Sequence, residues 1–564
     1  MKFSTISYER PIIEQLSKDF RILLEELKSA NSFDEFDKKM QIINKMRNEF
    51  SSLQSLVHIR HSIDTKDSFY DEENTFFDQN GPVFSQLSNE YYKIIDESDF
   101  KNEINEKYGP HFLNGVTCSL KTFDESIMDL MGKENELSSN YSRLIASAQV
   151  EFDGKILTMS QLSPYTTSTD RSVRKAAADV GNNWFSEKAE ELDQLYDDLV
   201  KVRTEIAHKL GYKSFVELAY NRLGRTDYTS KEVKQFRDAV HQYIVPVVNE
   251  LRDRQAKRIE VDQLEYYDIG FQFKSGNPTP KGSPAEIVAH GKKMYNELSP
   301  ETKEFFDFML DNELMDLESK KGKMSGGYCT YLPSFKTPYI FSNFNGTSHD
   351  IDVLTHEAGH AFQIYNSRDL PLPEYYWPTL EACEIHSMSM EFLTWQWMEG
   401  FFQEDTEKYK FSHLSGGLLF LPYGVAIDEF QHWVCENPAA TPIERNAQWL
   451  SIEEKYMPYR ANTSSAHLQT GRVWQKQGHL FSVPFYYIDY TLAQVCAYQF
   501  WAESQQDFSA AWERYLALCK LGGSDSFTGL LKKANLKDPF DASLLEEISG
   551  WVENYLGSVD DSSF

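Results

Sequence analysis

The segment His356-Glu357-Ala358-Gly359-His360 combines residue types and a spacing that could do chemistry. An α-helix has about 3.6 residues per turn, so residues four apart share one face and both imidazoles can reach the same cation. Glu357 projects beside them, where it could take a proton from a water molecule. Two neutral histidines and a neighbouring carboxylate are the parts of a zinc hydrolase, in which the metal lowers the pKa of water and the carboxylate accepts the proton.

The residues around this motif favour a metal-binding helix over its alternative, an ordinary amphipathic helix with two surface histidines. Residues 352–364 are compatible with a helix that has one apolar side. Gly359 inside such a helix costs about 1 kcal/mol relative to alanine. We interpret this glycine as space for a metal or a substrate close to the backbone.

A second predicted helix, within residues 378–395, supplies candidates for a third metal ligand. Catalytic zinc usually takes three protein ligands and keeps one position open. Glu381 and Glu384 are three residues apart and lie on neighbouring surfaces of one turn, with Glu391 further along the same side. Spacing alone leaves Glu384 or Glu381 as the ligand, while another carboxylate could accept the free N–H of a ligating histidine. The weaker candidates are His386 and Cys383.

Together the two segments resemble the M3 family of zinc oligopeptidases, and most of all its branch of oligoendopeptidase F and Pz-peptidase. Residues 356–360 and the block at residues 384–391 carry the likeness. The other blocks that are similar to this branch lie at residues 210–215, 225–228, 326–330, 338–347 and 478–490. The resemblance covers the chain from about residue 200 to the C terminus, and more loosely the N-terminal third.

This resemblance implies roles that spacing alone leaves open. It implies His356, His360 and Glu384 as the ligands of one Zn²⁺ per chain. It also implies Glu357 as the general base and Glu381 as the partner that orients a ligating histidine. In the family, a histidine and tyrosine hydroxyls in the C-terminal third approach the scissile carbonyl. The matching block here contains His479, Tyr486, Tyr487 and Tyr490.

The catalytic candidates in this block are His479, Tyr486 and Tyr490. A tyrosine hydroxyl suits the oxyanion of a tetrahedral intermediate, because its pKa of about 10 keeps it protonated at pH 7. The alternative for a tyrosine-rich helix is packing in the core. The tyrosine spacing differs from that of mammalian-type family members, so the principal donor is left open.

Two short strands are predicted before the metal helix, at residues 327–332 and 339–344. A strand edge beside a metal site can bind an extended peptide through main-chain hydrogen bonds. The alternative is a small sheet that only braces the helix, and the resemblance favours the substrate role. The predicted substrate-binding residues are Gly327, Tyr328, Ser342, Asn343 and Tyr487.

The rest of the sequence predicts a mainly α fold. Helical patterns cover residues 8–62, continue to about residue 147, and resume from 171 past 262, with a hairpin predicted at residues 149–158. The resemblance implies a multi-helix, zincin-type metallopeptidase with a small β-sheet beside the metal helix and helices that enclose a substrate channel. We divide the chain into an N-terminal helical region, 1–200, that forms part of the channel wall, and a catalytic region, 201–564. Residues 276–282 are a loop.

Composition limits the partners and the compartment. The chain has 564 residues and a formal net charge of −29, which disfavours nucleic acid or an anionic membrane as a partner. Six scattered cysteines without a C-x-x-C pair argue against a zinc ribbon or a disulfide framework. The first residues lack an apolar signal segment, and the longest apolar run, 416–427, is shorter than the ~20 residues of a membrane span. We therefore expect a cytoplasmic protein.

The expected function is a zinc metalloendopeptidase (EC 3.4.24 type) that hydrolyses internal bonds of short, unstructured oligopeptides with a zinc-activated water. One alternative is a catalytically silent, zinc-containing peptide-binding scaffold, against which the intact Glu357 and ligand set argue. Another is a thermolysin-like zincin that acts on folded proteins outside the cell. The missing signal segment and the block at residues 384–387 argue against that alternative.

Overall fold

Helices form most of the chain, and the predicted mainly α fold is confirmed. The computed structural model describes residues 1–320, 322–324, 326–461 and 463–564. The elements of the first half are α1 Ile13–Lys28, α2 Phe33–Ile63, α3 Ser68–Glu97, α4 Lys101–Tyr108, α5 Pro110–Leu120, α6 Met128–Ala146, β1 Val150–Phe152, β2 Lys155–Leu157, α7 Met159–Thr166, α8 Arg171–Glu187, α9 Ala189–Lys209, α10 Phe215–Arg222, α11 Ser230–Ala239 and α12 Val245–Arg258.

The second half contains the sheet and the helices that pack against it. Its elements are α13 Pro284–Leu298, α14 Pro300–Asp311, β3 Met315–Glu318, β4 Tyr328–Leu332, β5 Thr337–Phe344, α15 His349–Ser367, α16 Leu380–Leu393, α17 Glu399–Phe402, α18 Thr406–Glu436, α19 Pro442–Tyr456, α20 His479–Ser482, α21 Tyr487–Ser504, α22 Phe508–Leu521, α23 Phe527–Lys533 and α24 Ala542–Ser558. No helix in the described part of the chain is long and apolar enough to cross a membrane.

The predicted hairpin is confirmed as β1 and β2, which pair antiparallel from Val150–Leu157 to Phe152–Lys155. Asp153 and Gly154 connect them with φ of 52° and 68°. A two-residue hairpin turn of this type requires positive φ at both positions, and Asp-Gly is a sequence that tolerates it. The short-range signal was therefore sufficient to fix this element.

The sheet before the metal helix has three strands in the order β3-β5-β4. β4 pairs antiparallel with β5, as expected for the two predicted strands, and β3 pairs parallel with β5. The sequence analysis did not predict β3, which is only four residues long. β5 is therefore the central strand and β4 is an edge strand of the described sheet.

Gly359 allows helices α15 and α16 to pack backbone against backbone. A Cβ atom on Gly359 would lie 2.7 Å from the carbonyl oxygen of His386 and 2.7 Å from Cα of Ser387. The sequence-based interpretation of this glycine, space for a metal or a substrate, was wrong. The group that approaches it is the backbone of the next helix, and the contact fixes the distance between the two helices.

One large apolar core joins the two predicted regions of the chain. It contains buried side chains from Phe3 to Leu556, and a smaller cluster lies among α1 to α5. Residue 200 falls inside α9, and that helix contributes to the large core. The division into regions 1–200 and 201–564 stays a prediction.

Substituting Gly359→Ala tests the contact between α15 and α16. We expect a loss of about 1–3 kcal/mol in the free energy of unfolding, because the added methyl meets backbone that cannot move aside cheaply. Denaturant unfolding followed by circular dichroism measures it. The matched control is Gly550→Ala in α24, where an added Cβ meets nothing within 4 Å. The control should be neutral or gain up to about 1 kcal/mol from helix propensity. Equal stability of the two variants would contradict the assigned contact.

Candidate metal centre and active site

Two histidines of α15 and one carboxylate of α16 converge on a single point. Nε2 of His356 lies 3.2 Å from Oε2 of Glu384, and Nε2 of His360 lies 3.5 Å from the same oxygen. The three potential ligand atoms lie within 4.8 Å of one another. Tetrahedral zinc with bonds of about 2.0–2.2 Å places its ligand atoms roughly 3.3–3.6 Å apart. The donor types and their separations therefore fit a zinc ion.

Glu391 holds the ring of His356 in the orientation that presents Nε2 to this point. His356 Nδ1 donates to Oε1 of Glu391 at 2.7 Å, and His413 Nε2 contacts Oε2 of Glu391 at 2.7 Å. The indole of Trp395 donates to Nδ1 of His413 at 3.1 Å. Because an indole N–H can only donate, Nδ1 of His413 accepts, and its proton lies on Nε2 and faces Glu391. Glu391 thus accepts from a histidine on each side.

The charge of Glu391 is stabilised by these two donors. Burial alone would raise the pKa of Glu391, but the hydrogen bonds from His356 and His413 outweigh it and lower the pKa to about 2. Burial likewise opposes the charge on His356. The carboxylates of Glu384 and Glu391 outweigh that effect and raise the pKa of His356 well above its ordinary value. The carboxylates of Glu384 and Glu391 therefore favour a positive charge between them.

The hydrogen-bond partner of Glu381 lies away from the two histidines, and the orienting role that the resemblance implied for it stays a prediction. Its Oε1 accepts from the hydroxyl of Tyr228 at 2.9 Å, and no hydrogen bond in the described part of the chain joins it to His356 or His360. Burial raises the pKa of Glu381, partly offset by the nearby Arg225. Glu391 is the carboxylate that contacts a candidate ligand, at the Nδ1 atom of His356. Its spacing on the helix was the signal available in the sequence.

The two weaker candidates for the third ligand point elsewhere. Nδ1 of the fully buried His386 donates to the carbonyl of Ala382 at 2.7 Å, and burial lowers the pKa of His386 to about 4. The thiol of Cys383 donates to the carbonyl of Pro378 at 3.4 Å. Neither side chain belongs to the group of converging ligand atoms among the described residues.

Glu357 lies beside the converging atoms and next to the edge strand. It is buried, and burial raises its pKa, an effect partly offset by the charges of His356 and His360. A Cβ built on Gly327, immediately before β4, would lie 3.6 Å from Oε1 of Glu357. The carboxylate of Glu357 therefore faces the start of β4, at van der Waals distance from the position of such a Cβ.

Tyr486 brings the C-terminal block to the same point. Its hydroxyl donates to Oε1 of Glu384, the oxygen that does not face the histidines. Its ring lies 4.8 Å from that of Tyr490 and 5.6 Å from that of His479. Burial raises the pKa of both tyrosines well above the ordinary value, so both hydroxyls are protonated at neutral pH. The three predicted catalytic side chains are therefore brought together beside Glu384.

The backbone before Tyr486 is strained and is held by two buried polar side chains. Phe485 has a φ of 67°, a conformation that costs a residue with a side chain of order 1–3 kcal/mol. Its N–H donates to Oε1 of Gln431 at 2.7 Å, and Nη2 of Arg225 donates to its carbonyl at 2.7 Å. Arg225 also donates to Asp489 at 2.6 Å. The sequence analysis assigned no role to Arg225 or Gln431, because no local pattern marks a residue that fixes a distant strained backbone.

Family models cover most of the chain. The model described as Peptidase family M3 matches residues 164–281 and 290–550, and the model described as Peptidase M3 N-terminal domain matches residues 3–123. The chain belongs to peptidase family M3. It is a peptidase, and its substrates are peptides.

Three relatives define the branch of this M3 peptidase. A structure of PZ peptidase A with inhibitor 2 is 52% identical, with 100% of both chains covered and a TM-score of 0.97. A crystal structure of a proposed oligoendopeptidase F from Bacillus anthracis strain Ames is 50% identical, with 100% of this chain and 99% of that chain covered and a TM-score of 0.93. Oligopeptidase PepF of Bacillus subtilis strain 168 is 22% identical over 95% of this chain and 83% of that protein. The predicted resemblance to oligoendopeptidase F and Pz-peptidase is confirmed.

The predicted substrate-binding residues of this M3 peptidase lie at different positions in the sheet and around it. Gly327 and Tyr328 lie at the start of edge strand β4, and Tyr487 lies with its ring 5.1 Å from that of His479. Ser342 and Asn343 lie on the central strand β5, directly after Phe341, which pairs with Tyr328 of β4 and with Asp316 of β3. Ser342 is buried, and Asn343 donates to the carbonyls of Met324 and Gly326, both at 2.8 Å. Asn343 thus holds the chain that leads into β4, and the substrate role of both residues stays a prediction.

The variants Glu391→Gln and Glu381→Gln separate the two candidate partners of the ligating histidines. Replacing Glu391 should weaken zinc binding roughly 10–100-fold, because His356 loses the carboxylate that orients its ring. Replacing Glu381 should leave the zinc affinity within about threefold of wild type. In the described part of the chain Glu381 makes no hydrogen bond to either histidine, so neither ring loses a partner. Competition with a chromogenic chelator measures both dissociation constants. A large loss in Glu381→Gln and none in Glu391→Gln would restore the role that the resemblance implied.

Proposed function

We propose that this M3 peptidase is a zinc metalloendopeptidase that cleaves internal bonds of short, unstructured peptides. The observation that carries the proposal is the convergence of His356, His360 and Glu384, with Glu357 buried beside them and next to an edge strand. One Zn²⁺ held by the three ligands would polarise a carbonyl and lower the pKa of a water molecule. The remaining chemistry belongs to the protein's own side chains.

Glu357 is the proposed general base. From its position beside the ligands it accepts a proton from the attacking water at a carboxylate oxygen, and it then returns that proton to the leaving amine. A buried carboxylate with a raised pKa is suited to both steps, because it takes up a proton more readily than an exposed carboxylate does. The start of β4, next to this carboxylate, is where a scissile bond would lie.

Tyr486, Tyr490 and His479 are the proposed donors to the oxyanion. The orientation of His479 supports this role. Tyr423 donates to Oε1 of Gln477 at 3.2 Å, so the amide nitrogen of Gln477 faces His479 and donates to its Nδ1 at 2.7 Å. The proton of His479 therefore lies on Nε2, which is free to donate to substrate. Burial lowers the pKa of His479, which keeps the ring neutral.

Edge strand β4 is the proposed binding strand for the substrate backbone. Its free edge can pair with an extended peptide by main-chain hydrogen bonds, which hold many sequences equally well. Helix α2 lies over this strand, with the ring of His58 5.3 Å from that of Tyr328. A strand covered by a helix from the N-terminal region favours short, extended peptides over folded proteins. Helices that enclose a substrate channel are part of this proposal, and the cytoplasmic location stays a prediction from composition.

The substitution Glu357→Gln tests the general base. We expect kcat to fall roughly 10²–10⁴-fold while one zinc remains bound per chain, because the amide cannot accept the proton. Metal analysis and cleavage of a quenched fluorescent peptide measure the two quantities. The exposed Glu454→Gln is the control for loss of a carboxylate elsewhere. Retention of a near-normal rate by Glu357→Gln would exclude this residue as the base.

Removal of the metal tests the proposed class of peptidase. We expect a chelator to stop cleavage of a fluorescent peptide of about ten residues, and stoichiometric zinc to restore it, because the ligand set binds metal reversibly. The same assay with a folded protein of the same cleavage sequence should show little cleavage. Cleavage that survives complete removal of metal would overturn the zinc assignment. Equal rates for folded and short substrates would overturn the restriction to short peptides.

A further inference from the structure

A cavity of about 540 Å³ lies beside the segment that leads to His479. Helices α7 and α8 form one side, residues 263–270 form another, and residues between Tyr459 and Lys476 complete it. Much of the wall is apolar, with Leu162, Phe185 and Val473 among its residues. The mechanism above makes no use of this space.

Two cations stand at the cavity, and only one of them is paired. Arg460 forms an ion pair with Glu453 at 3.3 Å. Lys476 has no ion pair or hydrogen bond with any described residue, and its ammonium lies 6.0 Å from the ring of Phe185. Desolvation by surrounding protein atoms and repulsion from Arg460 lower the pKa of Lys476 to about 8, and attraction to Glu453 offsets part of this effect. An anion in the cavity would be attracted by an ammonium that no carboxylate of the described residues contacts directly.

The charged groups in the cavity wall indicate which kind of anion would bind there. Its wall includes one carboxylate among the described residues, Glu265, which accepts from the hydroxyl of Ser464 at 2.7 Å. The rest of the chain is strongly acidic, with a net charge of −29. An unpaired ammonium beside an apolar wall matches a ligand that has a single negative charge next to apolar side chains. The C-terminal end of a short peptide has this character, whereas the positively charged N-terminal end would be repelled by Lys476.

A path of partly exposed aromatic side chains connects the cavity to the catalytic cluster. The guanidinium of Arg460 lies 6.0 Å from the ring of Tyr423, whose ring is 5.9 Å from that of Tyr487. Tyr487 is 5.1 Å from His479, which is 5.6 Å from Tyr486. At about 3.3 Å per residue, an extended peptide that follows these side chains from Arg460 to Tyr486 spans roughly seven residues.

We propose that this cavity is a subsite for the C-terminal carboxylate of the peptide substrate, with Lys476 as the residue that binds it. The apolar wall receives the last side chains, while the scissile bond lies several residues away beside Glu357. This inference rests on the proposed peptidase function and adds a rule for substrate choice. Peptides with a free carboxylate within about seven residues of the scissile bond are bound best.

A pair of fluorescent peptides tests the proposal. They share one sequence of about ten residues without acidic side chains, and they end in a free carboxylate or in an amide. Wild-type enzyme should prefer the free acid by roughly fivefold to twentyfold in kcat/KM, the range expected for one charge-assisted contact at a partly exposed site, and the difference should lie in KM. Equal kcat/KM for the two peptides would overturn the proposal.

Two variants of Lys476 assign the preference to this cavity. Lys476→Met should bring the ratio of kcat/KM for acid over amide close to one, and Lys476→Glu should reverse it. The matched control is Lys257→Met, an exposed lysine on α12 without an ion pair to any described residue, which should keep the wild-type ratio. Binding of both peptides to Glu357→Gln, measured by calorimetry, should show the same preference without turnover. If both Lys476 variants kept the wild-type ratio of kcat/KM for acid over amide, another group would bind the C-terminal carboxylate, and the assignment to Lys476 would be wrong.

Two further peptides separate the source of the carboxylate and the two ends of the chain. An amidated peptide with aspartate as its last residue should be cleaved like the amide. Recovery of the full rate would mean that the site takes an acidic side chain, which would overturn the assignment to the chain end. N-terminal acetylation should leave KM unchanged, and a large effect would place the other end in the cavity. Failure of wild-type enzyme to cleave any of these peptides in the presence of zinc would refute the proposed function itself.

Discussion

The backbone contact between α15 and α16 at Gly359 is the constraint on which the candidate site depends. α15 carries both histidines and α16 carries the carboxylate that faces them. Because the carbonyl of His386 fits against Gly359, Glu384 reaches the Nε2 atoms of the two histidines directly. A side chain at this position would force the helices apart. Metal ligands have to be placed within a few tenths of an ångström, so this separation decides whether three donors can meet.

The packing around α16 also gives each carboxylate on this helix a different set of partners. The helix buries the carboxylates of Glu381, Glu384 and Glu391, and an unpaired buried charge would be costly. Each one has its own partners. Glu384 faces the two metal-site histidines and Tyr486, Glu391 lies between two histidines, and Glu381 accepts from Tyr228. Three chemically identical groups on one helix thus differ because of the elements that surround them.

α16 also packs against α21, and this contact brings the C-terminal third of the chain to the candidate metal centre. The turn before α21 is strained at Phe485 and is held by hydrogen bonds from elements far away in the sequence. Strain of this kind persists only where the surroundings impose it. Its effect is to direct Tyr486 at Glu384, and the tyrosines that follow extend the same surface towards the cavity beside Lys476. A series of neighbouring aromatic side chains therefore links the site to the proposed subsite.

The sequence by itself determined the features that are local. The i, i+4 spacing placed His356 and His360 on one helical face, the Asp-Gly pair determined the hairpin, and the spacing on the second helix singled out the carboxylates as candidates. Local patterns could not choose among those carboxylates. Positions three or seven residues apart differ in direction by only a fraction of a turn, and the rotation of the helix against its neighbours decides which one faces the histidines.

The tertiary structure alone decided the partners from distant segments. It assigned Glu391, with His413 and Trp395 behind it, to His356, and it paired Glu381 with Tyr228. It placed Ser342 on a central strand by adding β3, which has too few residues to show a pattern. It also left Lys476 unpaired at a cavity among the described residues. Periodicity fixes which side chains share a face, whereas the contacts between faces follow from the packing of elements that lie tens to hundreds of residues apart.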